Sequence, residues 1–558
     1  MNITTDSAFF KGIREGDFLY VDKTGYIHSL INSNRKLFFL QRPRRFGKTL
    51  LINTMTSIFN GESHLFDGLK IKTLEYDFIK YPTLLFNFHY LANKSPDLLE
   101  LDLYNQICKK ALEFNVPSVE NEVKSISTAL TDLAKGLIYK NGINPVILVD
   151  EYDGAILARL DEPKLAARNA KSLGIFFGSL KDLNDQGLLR LAFITGVSKF
   201  SMTSIFSGPN SYTDISEKKE YANICGITSN EFKIHLSSYL KEMFTNGRFK
   251  NTEFTYESFS DALVNMYDGY TWNFDDHVFN PFSLLRAIEE CALDSYWYKS
   301  GTPTFLYRFI RDKPELALNL DDITVSVNDL QQQAADELSF IPLLYQTGYL
   351  TMNSASEDNK TLYLKIPNAE VEEAFNHLIA RSYIGDKLTS LLQLGSTLLK
   401  ALRENNLEEL QNSMKELLLD LPIAPKYLNE KGFHLIVVVC LRMMGIKKIY
   451  SERKIEGGRP DIAFMLDETK GILLELKSFK SKHPESENDL EKEFLNILEK
   501  AALQMEKYYT PLFKLLNDAR EIQGYAVAVS WGKGVRLKTT RHVTRSSLES
   551  DTATRTDS

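Results

Sequence analysis

Leu37-Phe-Phe-Leu40 is an uninterrupted apolar run. It leads straight into Gln41-Arg-Pro-Arg-Arg-Phe-Gly47-Lys48-Thr49, and the stretch LLINTM follows. No other feature restricts the fold so tightly. A buried strand, a glycine turn and a helix in immediate succession aim backbone N–H groups at one point, where they can cradle phosphate oxygens. That is the context of a P-loop. Lys48 would reach the β- and γ-phosphates, and the Thr49 hydroxyl would ligate Mg2+. Arg45, Phe46 and Gly47 complete the expected cradle. One position departs from GxxxxGK[ST]: Arg42 stands where the first glycine belongs, and that glycine normally relieves a tight turn.

No acidic residue occurs between Lys23 and Gly61, whereas Arg35, Lys36, Arg42, Arg44, Arg45 and Lys48 all lie there. A strongly positive local field is therefore expected on a chain whose net charge is −7. That mild acidity excludes a global basic surface for nucleic acid, so any such contact must be a local patch. By itself, GKT is equally compatible with a solvated basic loop. Downstream residues shift the balance. Val146-Ile-Leu-Val149 runs into Asp150-Glu151, an apolar strand ending in paired carboxylates. In a P-loop ATPase the first acid holds Mg2+ and the second orients and deprotonates the attacking water. A further strand, Leu191–Ile194, ends at Thr195-Gly196, where a hydroxyl can sense the γ-phosphate. Ser198 and Lys199 are weaker candidates for that role. With Thr83–Phe88 as an intervening strand, these continuous apolar runs separated by helical stretches indicate a parallel sheet covered on both faces.

Beyond Ser229 the pattern turns helical and aromatic, and Tyr267, Tyr270, Trp272, Phe274 and Phe282 read as core. A helix over Leu338–Tyr345, the turn Gln346-Thr-Gly348 and strands Tyr349–Met352 and Leu362–Ile366 around the polar loop Asn353–Lys360 have the layout of a small winged helix. Such a unit can bind DNA and can equally serve as packing. Leu388, Leu391, Leu392, Leu398, Leu399 and Leu402 mark an amphipathic helical connector. The polar tail after Lys538 lacks apolar periodicity and is expected to be disordered.

A second set of groups follows a helix expected over Gly432–Met444. Asp461 precedes the strand-like run IAFML, and Gly471-Ile-Leu-Leu-Glu475-Leu-Lys477 comes after a turn. Strand alternation puts Glu475 and Lys477 on one face, and Asp461 opens the neighbouring strand, so the three can converge across a hairpin. Two carboxylates can hold Mg2+, with Mn2+ as a substitute, and an ammonium beside them can position water or stabilise charge developing on phosphate. Asp-(spacer)-Glu-x-Lys is the PD-(D/E)xK nuclease signature, although Glu-x-Lys alone is ordinary surface chemistry. Glu430 adds an acid at the start of the preceding helix. Gln504 and Tyr508, one helical turn apart, share a face. His434 is more simply read as a packed, hydrogen-bonded histidine.

Together FLYVDKTGYI, FFLQRPRRFGKTLLINTM, VILVDEYD, FITGVSKFSMTSIFSG and LLYQTGYLT resemble the AAA-ATPase-like proteins with the RPRRFGKT pattern, in which an ATPase module is fused to a C-terminal PD-(D/E)xK nuclease-like domain. Gln504 to Tyr508 resembles the QxxxY element of RecB-like nucleases. The resemblance implies an α/β fold class: a P-loop NTPase parallel sheet with helical lid and winged-helix region, followed by an α/β PD-(D/E)xK nuclease-like domain. The expected divisions are 1–228, 229–330, 331–380, 381–425, 426–537 and 538–558. The implied cofactors are ATP and Mg2+. Nucleic acid, DNA before RNA, is the expected partner, and homo-oligomerisation is left open. No arginine finger is assigned among Arg159, Arg190 and Arg286. A nucleotide-switched sensor or scaffold that grips nucleic acid or protein without cutting fits the same residues, as does an ATPase acting on a protein partner.

The remaining constraints are broader. At about 100–200 residues per domain, 558 residues make roughly three to four domains. Cys108, Cys225, Cys291 and Cys440 are too scattered for zinc spacing and read as thiols of a reducing cytoplasm. No signal-peptide pattern opens the chain, and no apolar run reaches the ~20 residues of a membrane span. The longest, near Leu435–Leu441, is broken by Arg442.

Overall fold

The computed structural model describes residues 2–91, 94–117, 119, 125–200, 212–249, 252–301, 306, 310, 323–330, 339–382, 385, 388–419, 429–446, 448–482, 486–530 and 533–547, with the backbone alone at 331, 383, 384 and 420. The chain forms two compact units, Met1–Phe305 with Asp322–Glu372, and Leu306–Asp321 with Glu373–Ser558.

In the first unit, strands β1 (Leu37–Gln41), β2 (Thr83–Asn87), β3 (Val146–Asp150), β4 (Leu191–Gly196) and β5 (Thr213–Asp214) form one sheet in the order β2-β3-β4-β1-β5. Every pairing is parallel. Strands β1, β3 and β4 are buried along their whole length, as continuous apolar runs require. β2 behaves differently: its burial alternates, because it lies at an edge and only one face is fully covered. Strand β5 carries no apolar run and left no trace in the pattern. Helix α1 (Lys48–Phe59) follows β1, while α2 (Pro96–Glu113), α3 (Ile126–Asn141) and α4 (Pro163–Asp185) pack together. The carboxyl ends of β1, β3 and β4 lie level, with Leu40 opposite Thr195 and Val149 opposite Ile194.

Helices Ser229–His235, Tyr256–Tyr267 and Pro281–Glu290 share a separate apolar cluster that includes Phe232, Phe259 and Leu284. Tyr267, Tyr270 and Trp272 are core residues as expected, and Phe282 packs partly buried. Phe274 is not core: it is exposed, at a left-handed backbone position (φ 64°) in a polar turn. Strands β6 (Ile323–Ser326), β7 (Thr351–Ala355) and β8 (Thr361–Lys365) form an antiparallel sheet in the order β6-β8-β7. The two expected strands are thus shifted and joined by a shorter turn, because Asn353–Ala355 extend β7 with their polar side outward. Helix α5 (Phe340–Thr347) is buried at every position but Ile341. The expected helix start at Leu338 lies outside the described residues.

In the second unit, α6 (Glu430–Met443) precedes β9 (Ile449–Ser451), β10 (Ile462–Met465) and β11 (Lys470–Phe479). Helix α7 (Glu487–Met505) then leads to β12 (Glu521–Ser530) and β13 (Gly534–Thr544). The sheet order is β9-β10-β11-β12-β13, antiparallel except for the β11–β12 pair that α7 connects. Helix α6 starts two residues earlier than its apolar pattern suggests, capped by Asn429, whose side chain accepts from Gly432 N. In the helical connector, Leu391, Leu398, Leu399 and Leu402 are buried, while Leu388 and Leu392 are half-buried. Among the described residues no helix is long and apolar enough to cross a membrane.

The tail beyond Lys538 was expected to be disordered; as far as Thr544 it is strand. As the last strand of its sheet, β13 needs few apolar residues, which hid it from the pattern. Val543 is buried, and Thr540 Oγ1 lies 2.6 Å from Tyr509 Oη. Arg545 then donates to the carbonyls of Phe513, Asn517 and Ala519. A chain ending at Lys538 should therefore be less stable than one ending at Ser547, by at least about 3 kcal/mol in urea unfolding, from lost apolar burial and hydrogen bonds.

Candidate functional site

The residue at the missing-glycine position explains the loop. Arg42 is fully buried, and its guanidinium donates to the carbonyls of Gln41, Ser216, Tyr221 and Ala222 at 2.7–3.2 Å. The same group stacks 4.0 Å from the Trp272 ring. The turn takes its left-handed residues elsewhere, at Arg45 (φ 67°) and Gly47 (φ 90°), so a glycine at 42 is not needed. Phe46 turns inward, edge-on to Tyr270 and Trp272. Gly348 closes the loop from the other side. Its backbone is left-handed, and a Cβ there would lie 2.7 Å from Pro43 Cβ.

Lys48 opens α1, and its ammonium donates to the loop carbonyls of Arg42 and Pro43, both at 2.9 Å. Burial lowers its pKa, opposed chiefly by Asp150 and Asp153. Gly47 offers no side-chain cap, and helix geometry leaves the first-turn amides without intrahelical acceptors. The expected positive field is only partly there. Arg42 points inside, and Arg35 and Lys36 precede β1, at its opposite end. Arg44 and Arg45 are the exposed pair at the loop, with Arg45 over the Phe282 ring at 4.6 Å.

Asp150 is buried at the end of β3. Its Oδ2 accepts from Thr49 Oγ1 at 2.7 Å, and its Oδ1 from Thr195 Oγ1 at 2.6 Å. The structure thus joins Thr49, Asp150 and Thr195 in one chain of hydrogen bonds beside Lys48. Glu151 turns outward with φ 54°, and its Oε2 lies 2.7 Å from His89 Nδ1. The next two residues act as a clamp. Tyr152 Oη donates to the Ser198 carbonyl, and Asp153 Oδ2 accepts from Val197 N, Ser198 N and Ser198 Oγ. Burial raises the Asp153 pKa against these bonds. Ser198 is thereby committed to Asp153, and Lys199 to Asp214 and Glu217, each 3.0 Å away. Gln41 donates to the carbonyls of Val197 and Gln346, while Gln346 accepts from Lys199 N. Asp153 stands in the VILVDEYD run, where its acidity was the available signal; His89 and Gln346 carried none.

In the second unit the β10–β11 register pairs Ile462 with Leu474, which sets Asp461 opposite Glu475. Asp461 N lies 3.4 Å from Glu475 Oε2, and Asp461 Oδ2 accepts from Leu476 N at 2.7 Å. Lys477 Nζ stands 2.9 Å from Glu475 Oε1 and 3.5 Å from Asp461 Oδ2. Burial, then Asp461, pushes the Glu475 pKa up to about 7. Burial likewise raises Asp461, while Lys477 is raised by its two carboxylates despite burial. Glu430 Oε2 accepts from Ser478 N at 3.1 Å. Gln504 donates to Tyr508 Oη at 2.8 Å rather than joining the carboxylates, and a Cβ on Gly458 would stand 3.0 Å from the Tyr508 ring. His434 is buried 3.2 Å from Ser451 Oγ.

The donors suit a phosphate with a hard cation: amides, an ammonium and a hydroxyl–carboxylate pair in one unit, and two carboxylates with a lysine in the other. Among the described residues no group of three or more His, Cys, Asp or Glu is gathered to hold a metal ion, so protein ligands would supply only part of a coordination shell.

A family model described as "Predicted AAA-ATPase" matches residues 5–206. An uncharacterized protein in the vnfD 5'region of Azotobacter chroococcum mcd 1 is 30% identical over 398 residues, 69% of this chain and 71% of that protein. The chain belongs to the AAA-ATPase-like family. No solved structure matches it. The family segment of this AAA-ATPase-like protein runs from before Lys23 to beyond Lys199 and so contains Lys48, Asp150 and Thr195; the Asp461 cluster lies outside it.

Two predictions follow from these geometries. Arg42→Gly restores the GxxxxGK[ST] spelling but should destabilise the first unit by on the order of 3 kcal/mol in urea unfolding, since it empties a buried site and strands four carbonyls. For Glu475, the folded pKa of about 7 exceeds the ordinary 4.5, so its contribution is full below pH 4.5 and is lost as pH rises through 7. In chelator, Glu475→Gln should therefore gain on the wild type between pH 5 and pH 8, by up to on the order of 3 kcal/mol, in thermal or urea unfolding.

Proposed function

We propose that this AAA-ATPase-like protein binds and hydrolyses ATP with Mg2+ in its first unit and cleaves DNA phosphodiester bonds in its second. The observation that carries the first half is the hydrogen-bonded chain Thr49–Asp150–Thr195 beside the Lys48 turn. In this reading the Arg45–Thr49 backbone and Lys48 hold the phosphates, Thr49 and Asp150 hold Mg2+, Glu151 orients and deprotonates water, and Thr195 senses the γ-phosphate.

The second half is supported by the convergence of Asp461, Glu475 and Lys477 and by the order helix, three antiparallel strands, helix, parallel strand. Asp461 and Glu475 would hold Mg2+ or Mn2+, whose charge polarises the phosphodiester and acidifies water. Lys477 would position that water or stabilise charge on the phosphate, with Glu430 as a further acid. Gln504 and Tyr508 would support the Gly458 turn that leads into Asp461. The region 331–380 is read as a winged helix used for packing, since α5 is buried. The four cysteines are free thiols, in keeping with the cytoplasm. A non-cutting reading, in which the second unit only grips nucleic acid or protein, draws on Lys477 already being ion-paired with both carboxylates.

Lys48→Ala should abolish ATP binding or turnover. Asp461→Ala should abolish Mg2+-dependent cleavage and leave ATP turnover intact. Wild-type protein that degrades no linear, circular or single-stranded DNA and no RNA, with Mg2+ or Mn2+ and with or without ATP, would overturn the nuclease half and leave the non-cutting reading.

A further inference from the structure

We infer that His89 is a positioning residue for Glu151, which rests on the reading of Glu151 as the group that orients the attacking water. The two side chains belong to different turns, each fixed by its own backbone. His89 lies in a 3-10 turn, Phe88–Leu91, directly after β2. Phe88 and Leu91 are buried and anchor it, and His89 N donates to Asn87 Oδ1 at 2.9 Å. Glu151 lies directly after β3. Its N–H donates to Asp150 Oδ1 at 3.1 Å, and Tyr152 N to the Thr195 carbonyl at 3.0 Å. The turns touch: a Cβ on Gly154 would stand 3.4 Å from the Phe88 carbonyl oxygen and 3.9 Å from His89 Cα.

What joins the side chains is the 2.7 Å contact between His89 Nδ1 and Glu151 Oε2. A carboxylate only accepts, so Nδ1 carries the hydrogen. The pair is exposed, at 69% for His89 and 40% for Glu151, so it adds little to stability. Yet Glu151 holds a left-handed backbone that a non-glycine residue rarely adopts, and such strain gathers where geometry serves chemistry. The donated hydrogen bond stops the carboxylate from rotating and occupies Oε2. Oε1 is left as the acceptor for the proton of water. Without His89 the glutamate would sample many rotamers, and only a fraction would face the phosphate.

Steady-state ATP turnover tests this. His89→Ala should lower kcat about tenfold with KM for ATP and the unfolding midpoint unchanged. His89→Asn, whose amide nitrogen superposes on Nδ1, should recover most of that loss, whereas His89→Gln should not. In a Glu151→Gln background, read at high enzyme concentration, His89→Ala should have no further effect. Wild-type turnover by His89→Ala, equal losses in the Ala and Asn variants, or full additivity with Glu151→Gln would each overturn the inference. A wild-type chain without turnover would sink the ATPase reading and this inference with it. Turnover that is intact in wild type and in His89→Ala would sink the inference alone.

Discussion

A guanidinium inside the protein holds the phosphate-binding turn in place. Among the described residues Arg42 has no carboxylate within ion-pair distance; its charge faces four backbone carbonyls and the ring of Trp272. Burying a charge is costly unless it is matched by oriented dipoles and a polarisable face, and both are supplied. In return, one side chain fastens the loop to residues 216–222 and to the aromatic cluster of Phe46, Tyr270 and Trp272. A glycine in that position permits a turn, whereas an arginine also fixes what the turn packs against. The turn then uses Arg45 and Gly47 for its left-handed steps.

The polar groups that matter in the first unit stand at the carboxyl ends of parallel strands, where ligands of open α/β sheets bind. Gln41 ends β1, Asp150 ends β3, and Thr195 is the penultimate residue of β4. Level strand ends let short side chains such as threonine and aspartate meet directly. The DEYD run divides the labour within four residues: Asp150 faces the loop, Glu151 faces outward, and Tyr152 and Asp153 hold the segment after β4. Gln346 reaches the same layer from α5, which explains why that helix is buried rather than presented to solvent.

Legibility followed the physics of each element. Strands β1, β3 and β4 were plain in the sequence, because full burial demands an unbroken apolar run. Strands β5, β6 and β13 were not, since a short or edge strand needs only one covered face and reads as polar turn. For the same reason Thr539–Thr544 looked like a tail, although Val543 and Thr540 are tied into the sheet. The Asp461–Glu475–Lys477 cluster was legible because period two and a hairpin are enough to place it. The partnership of Gln504 with Tyr508 and of His89 with Glu151 depends on which turns touch, and no local pattern encodes that.

The two carboxylate pockets differ in what balances their charge. Asp150 is satisfied by neutral hydroxyls from Thr49 and Thr195, so its negative charge remains available to a cation. Asp461 and Glu475 already share the ammonium of Lys477, and burial biases Glu475 toward its protonated form near neutrality. A divalent cation entering the first pocket has only to reorient hydroxyls. In the second it must displace a proton, loosen an ion pair, or do both. The first pocket is therefore ready for a cation that arrives with phosphate. The second is held in a neutralised state, in which Lys477 and a proton on Glu475 together balance the two carboxylates.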